Sequence, residues 1–287
     1  MIAGGRDEAM VWHHIEDWDD AYANGVNIAR GENWPDAWLQ QAQPYRDGLV
    51  GEGRAKLNLS YGPAPRNRFD LFLPEGKPKG LVVFVHGGFW LRLDQSYFSH
   101  LAAGSLAHGY AVAMPTYTLS PAISISGIVA EVALAISKAA EMIEGPIRLT
   151  GHSAGGHLVT RMVCTDTPLS SAVHSRIVNT LSLSGLHDLR PMMALQMNAN
   201  WQLGMEEARA ESPALLEPLP DTRLVCWVGA AERSEFIRQN ALLANVWTGL
   251  GATTLCVEEP DRHHFNVVDG LANPGHALTS TLLTGQG

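Results

Sequence analysis

The stretch GHSAG (151–155) places Ser153 between small residues, where the apolar run IRLT (147–150) gives way to the helix-forming SAGGHLVTRMV. A strand, then G-x-S-x-G, then a helix lets a serine hydroxyl project from the carboxyl edge of a sheet, with a helix N-terminus aimed at it. In isolation the same letters also describe a helix-capping serine in a glycine-rich turn. To act as a nucleophile, the hydroxyl needs a base beside it and an acid that orients the base. PDRHHFNVV (260–268) follows the last strand-like run and offers His263 and His264, of which only one can face Ser153. Three carboxylates compete for the acid: Asp188 after LSLSG, Glu232 in the loop after RLVCWVG, and Glu235 three residues on. Glu232 has the most suitable loop position. Asp188 could instead serve a turn, and Glu235 is explained by the dipole of a first helical turn.

HGGFW (86–90) completes the set. Two glycines after a buried strand free their amides to point into a cleft, and Gly87 and Gly88 with Ala154 would form an oxyanion hole. His86 reads as a brace for that loop. Phe89 and Trp90 either line an acyl pocket or belong to the core. The chemistry implied is acyl transfer through a covalent serine intermediate.

The elements that must position these residues are legible as an alternation. LNLSYG and RFDLFLP (68–74), separated by the turn-rich GPAPRN, predict an antiparallel pair. GLVVFVH (80–86), YAVAMPTY (110–117), IRLT, IVNTLSLSG (177–185), RLVCWVG (223–229) and TTLCVEE (253–259) read as further strands. Helical patterns lie between them, at 95–109, 123–143, after Ser153 and near 234–249, with a last helix expected from about Phe265. This predicts an α/β fold: a doubly wound, mainly parallel eight-stranded sheet with antiparallel leading strands. A single domain is expected over 1–287, with an N-terminal helical extension (1–50). The Met-rich, strandless segment 188–220 interrupts the rhythm and is a candidate cap over a cleft.

With 46% hydrophobic and 17% charged residues the chain can bury a substantial core, and its net charge of −9 argues against nucleic acid or an anionic membrane surface. The N-terminal stretch turns acidic early and carries no apolar signal segment. Cys164, Cys226 and Cys256 show no CxxC spacing and read as buried free thiols of a cytoplasmic protein. No GxGxxG after a strand, Walker pattern or metal spacing appears, so no cofactor or metal is expected. Trp12, Trp18, Trp34 and Trp38 could pack over the cleft or form a homodimer surface.

Taken together, HGGFW, GHSAGGHL, SGLHDLRP, GAAERSEFIRQN and HHFNVV in this order make the chain resemble an α/β-hydrolase. Within that superfamily it resembles the kynurenine formamidase (arylformamidase) type, a neighbour of the hormone-sensitive-lipase-like esterases, over nearly its whole length. The resemblance implies Ser153 as nucleophile, His264 as base, Glu232 as acid, and Gly87, Gly88 and Ala154 as oxyanion donors. Two residues depart from the family's pattern: Phe89 stands where tyrosine is usual, and the acid is Glu where Asp is common. The implied activity is hydrolysis of a small ester or aryl formamide. The alternative is a hydrolase fold kept only for ligand binding.

Overall fold

The computed structural model describes residues 14–285. Eight strands form one sheet: β1 (Ala55–Ser60), β2 (Arg68–Phe72), β3 (Leu81–Val85), β4 (Ala111–Pro115), β5 (Ile147–His152), β6 (Ile177–Leu183), β7 (Arg223–Gly229) and β8 (Thr253–Glu259). Their spatial order is β1-β2-β4-β3-β5-β6-β7-β8. The β1–β2 and β2–β4 pairs are antiparallel and all others parallel. This is the doubly wound sheet that the alternation predicts.

β3 is buried along its whole length because both of its faces are covered. Leu81, Val83 and Val85 join the core under the helix Ile125–Met142, whereas Val82 and Phe84 face Phe98 and the C-terminal helix. Strand order reverses beside β3, so the loops after β3 and β5 leave the sheet side by side, with Val85 in register with Gly151. Ligands bind at such a switch point, outside the carboxyl ends of the strands. The loops after β6, β7 and β8 follow along the same edge.

Three local expectations change. Residues 95–109 are not one α-helix: Gln95–Ala102 is a 3-10 helix, followed by the α-helix Ala103–Ala107. Six of its eight residues are buried, and a three-residue turn places Gln95, Phe98 and Leu101 in one row and Ser99 and Ala102 in the next. No α-helix begins at Phe265; a 3-10 turn over Val267–Ala272 precedes the helix Ala277–Thr284, because Pro274 interrupts the run. Cys256 is exposed, since β8 is an edge strand, while Cys164 and Cys226 are buried.

The helix Trp34–Gly51 crosses the sheet face beside β1 and β2 and carries Trp34 and Trp38 towards the carboxyl edge. It is fastened by Arg46, whose guanidinium lies 2.7 Å from the fully buried Asp70 of β2. Burial raises the Asp70 carboxyl above its ordinary value despite Arg46 and the Asn58 amide. The pair therefore pins the helix more than it adds net stability, yet removing one partner strands the other. Arg46→Met is expected to lower unfolding free energy by about 3 kcal/mol in urea titrations; an unchanged midpoint would show that the pair does not hold the helix.

Candidate active site

At the end of β5 the backbone turns at Ser153, with φ 56° and ψ −119°, before the helix Ala154–Arg161 begins. A β-carbon on Gly155 would lie 1.9 Å from the Val85 carbonyl oxygen, and one on Gly151 would lie 2.3 Å from that of Gly155. These two positions must therefore be glycine for the helix to start this close to β3. The Ser153 amide donates to the Leu183 carbonyl of β6 at 2.8 Å, which holds the strained residue in place. Its side chain opens onto a cavity of about 510 Å³, and His264 lines the same cavity.

His264 Nδ1 lies 2.6 Å from Glu232 Oε2. The Glu232 side chain is wholly buried, and its Oε1 accepts hydrogen bonds from Ser184 Oγ at 2.5 Å and the Gly229 amide at 2.9 Å. The other two acids are committed elsewhere. Asp188 pairs with Arg190, which together with backbone hydrogen bonding holds its carboxyl below the usual range. Glu235 pairs with Arg238 and accepts from the Tyr22 hydroxyl. The adjacent His263 packs edge-on against Trp34 and does not line the cavity.

With its Nδ1–H donating to Glu232, His264 keeps Nε2 without a hydrogen-bond partner among the described residues. Among the described residues no hydrogen bond joins it to Ser153; such contacts in hydrolase sites commonly tighten only in the complex. His152, whose burial drives its pKa well down, donates from Nε2 to the His264 carbonyl at 2.8 Å, with ring centroids 4.6 Å apart. Phe236 covers the His264 ring at 4.4 Å.

The glycine loop approaches the serine closely. A β-carbon on Gly87 would meet the His152 carbonyl at 2.7 Å and Ser153 Cβ at 2.9 Å. Among the described residues, the Gly87, Gly88 and Ala154 amides donate to no protein acceptor. His86 braces this loop: its Nδ1 donates to the Gly87 carbonyl at 2.7 Å, and its ring stacks on Tyr117 at 4.4 Å. Phe89 lines the cavity and its carbonyl accepts from Trp201 Nε1. Trp90 does not. It is fully buried, edge-on to His157 and Trp201, because the positive φ of both Phe89 and Trp90 turns the second ring into the core.

The cavity's outer wall comes mostly from the N-terminal extension, through Tyr22, Asn24, Gly31, Pro35 and Trp38. Tyr22 donates to Glu235 and accepts from Gln239, and an Asp20–Arg233 ion pair adds a second tie. The segment 188–220 contributes only Met197 to the lining and supports Phe89 from behind through Trp201. Trp38 lines the cavity, Trp34 packs on Trp38 and Phe265, and Trp18 stacks on Tyr22. Trp12 lies outside the described residues. No helix among the described residues is long and apolar enough to cross a membrane.

A model of the BD-FAE family matches residues 69–215, just over half of the chain, from β2 through the segment after β6. The chain belongs to the BD-FAE family. Curated relatives of this BD-FAE chain include kynurenine formamidases from Salmo salar and Drosophila melanogaster, each 26% identical. The alignments span 81% and 77% of this chain and 82% and 75% of theirs. A crystal structure from Silicibacter sp. TM1040, whose assignment as a thioesterase is itself provisional, is 45% identical. It superposes with a TM-score of 0.88 over 93% of this chain and 99% of its own. The hyperthermophilic esterase of Pyrobaculum calidifontis, at 15% identity, shares the fold with a TM-score of 0.70 over 88% of this chain and 90% of its own. The BD-FAE chain has the α/β-hydrolase fold.

Ser184 and His152 are site residues that the sequence reading missed. Ser184 hides in the ordinary strand end LSLSG, and His152 in a variable position of the serine motif. Removing the Ser184 hydroxyl leaves a buried carboxylate oxygen with one donor fewer. Ser184→Ala is expected to lower kcat about tenfold with little change in KM, since a hydrogen bond to a charged group contributes about 1.5 kcal/mol or more. An unchanged kcat in steady-state assays would place Ser184 outside the machinery.

Burial also depresses His86 and His100 to about 4 and His157 and His187 to about 3, from an ordinary 6.5. Each is neutral when folded and protonates on unfolding, so its contribution is complete above pH 6.5 and is lost as pH falls towards 4 or 3. Unfolding free energy in urea should decline from pH 6.5 to 4.5, at up to about 1.4 kcal/mol per pH unit per ring. A flat profile would mean that these rings are not held neutral.

Proposed function

We propose that Ser153, His264 and Glu232 act as a nucleophile–base–acid set, with the amides of Gly87, Gly88 and Ala154 receiving the oxyanion. The chain is a hydrolase of ester or formamide bonds, as are its relatives by name. The observation that carries the assignment is the 2.6 Å contact between His264 and the buried Glu232, with both Ser153 and His264 facing one cavity.

In this reading Ser153 Oγ attacks the substrate carbonyl while His264 Nε2 takes its proton. Glu232 holds the ring in the tautomer that leaves Nε2 free and stabilises the imidazolium that forms. The oxyanion forms beside Gly87 and Ser153, where the amides of Gly87, Gly88 and Ala154 have no protein acceptor among the described residues and are available to donate to it. The protonated His264 then donates to the departing alcohol or amine. Water, deprotonated by His264, attacks the acyl-serine carbonyl and releases the carboxylic acid and the free hydroxyl.

Trp38, Phe89 and Phe265 give the cavity an aromatic lining, which supports a small, partly aromatic substrate: an aryl ester or an aryl formamide. Two wholly buried free thiols and an exposed third support a reducing, cytoplasmic setting. The test compares N-formylkynurenine with p-nitrophenyl acetate and butyrate, using wild type, Ser153→Ala and His264→Gln. Both variants should lose at least about 10³-fold in kcat on every substrate that wild type cleaves. An organophosphonate should label wild type at Ser153 and leave Ser153→Ala untouched. Undiminished turnover by Ser153→Ala would remove the serine from the mechanism.

A further inference from the structure

The loops that carry Glu232 and His264 are laced together just ahead of those residues. The Ala230 amide donates to the Glu259 carbonyl at 2.8 Å, and the Ala231 amide donates to the Arg262 carbonyl at 2.9 Å. A β-carbon on Gly229 would lie 2.2 Å from the same Arg262 oxygen, so the loops meet with no side chain between them. Gly229 also gives its amide to Glu232 at 2.9 Å. The placement of Glu232 against His264 therefore follows the main chain of Arg262. β8 is an edge strand paired with β7 alone, so the loop that leaves it gains no restraint from a further strand.

That main chain has its own fastening. Asp261 turns it with φ 60°, and Arg262 Nε reaches back to Glu259 Oε1 at 3.1 Å, closing the turn on the last residue of β8. An isolated i,i+3 pair of this kind would contribute little on a free loop. Glu259 is not isolated. Its Oε2 accepts from the Trp227 indole of β7 at 2.7 Å, and its Oε1 lies 3.3 Å from Nε2 of His276. His276 in turn caps the helix Ala277–Thr284, its Nδ1 accepting from the Leu278 amide at 3.1 Å. The carboxylate is thus fixed to β7 and to the C-terminal helix before it meets Arg262. Arg262 also faces Asp269, whose carboxyl burial raises to about 6 against the pull of the guanidinium.

We infer that Glu259 and Arg262 are positioning residues: their ion pair holds the Arg262 carbonyl on the Ala231 amide and so sets the contact between Glu232 and His264. This rests on those two residues acting with Ser153 in the proposed reaction. Neither Glu259 nor Arg262 lines the cavity, so they act through the loops and not on the substrate. The 2.6 Å contact joins side chains from the loops of two different strands, and a small slip of either loop lengthens it. Reaction rates are sensitive to displacements of that size.

The test measures phenyl acetate hydrolysis by the full-length protein as a function of pH, in wild type, Glu259→Gln, Arg262→Gln, the double variant and Arg262→Lys. Each single Gln variant should lower kcat about tenfold with KM unchanged, short of the roughly 10²-fold that an ångström of misplacement costs. The double variant should be no worse than the poorer single one, because the pair acts as a unit. Arg262→Lys keeps the charge and a donor and should recover most of the loss. The acid limb of kcat/KM, which reports protonation of the base, separates positioning from charge. Weaker support from Glu232 moves that limb to lower pH in both Gln variants. Charge acting through space would move it to lower pH in Glu259→Gln but to higher pH in Arg262→Gln. The other titratable groups that face His264 or the ion pair, His152, His263, Asp269 and His276, are the same in every variant. Opposite limb shifts, losses that multiply in the double variant, or an unchanged kcat would each overturn the inference. Should Glu259→Gln not fold, Arg262→Gln carries the test alone, since its side chain is 32% exposed and its limb shift differs in sign between the two accounts. Failure of the underlying reading looks different: turnover would then survive Ser153→Ala and His264→Gln whatever the limbs show.

Discussion

The helix after β5 begins so close to β3 that no side chain fits between them. A β-carbon on Gly155 would penetrate the Val85 carbonyl, and one on Gly151 would strike Gly155. This steric constraint forces the sharp turn at Ser153, lifts its side chain out of the sheet and brings the Gly87 loop against it. The strain at Ser153 persists because the surroundings over-determine it: β6 takes its amide, β3 blocks the helix from below, and the helix continues immediately. Cavity, glycine loop and His264 are all arranged around that one point.

The second organising feature is electrostatic. Glu232 is a buried carboxylate held by two donors and a histidine, and the rings around the Ser153 turn are kept neutral by burial. In the proposed mechanism neutral neighbours matter because a charge beside Glu232 or His264 would compete for the proton that passes between Ser153 and His264. His152 illustrates the economy: one buried ring anchors the main chain of His264 and packs against its side chain. In a site of low dielectric such oriented groups act more strongly than they would in water.

Access is organised by a different part of the chain from the one whose composition suggests it. The Met-rich 188–220 segment has the look of a cap, yet its main role at the site is to back Phe89 through Trp201. The N-terminal extension forms the outer wall, because Tyr22 is fixed to the helix after β7 and Trp34–Gly51 is pinned to β2 through Arg46. Both anchors join residues far apart in sequence, and neither leaves a local pattern.

The eight strands, their mixed direction and the motif-bearing loops could be read from the sequence because they rest on local chemistry: β-branched runs, glycines where the backbone must turn, and alternation of period. Ser153 and the glycines of the loop after β3 belong to that class, since backbone geometry demands those residue types. The choice among Asp188, Glu232 and Glu235 does not, for all three occupy reasonable loop positions. Arginines at 190 and 238 claim two of them, while Ser184 and the Gly229 amide prepare the third for His264. Trp90 was ambiguous for the same reason: adjacent aromatics have the same local character until left-handed backbone angles send one to the cavity and the other to the core. Sequence by itself determined which strands form and where the sharp turn at Ser153 must lie, because short-range sterics decide both. Tertiary structure alone decided which carboxylate meets His264 and which segment walls the cavity, because those depend on partners brought together only by the completed sheet.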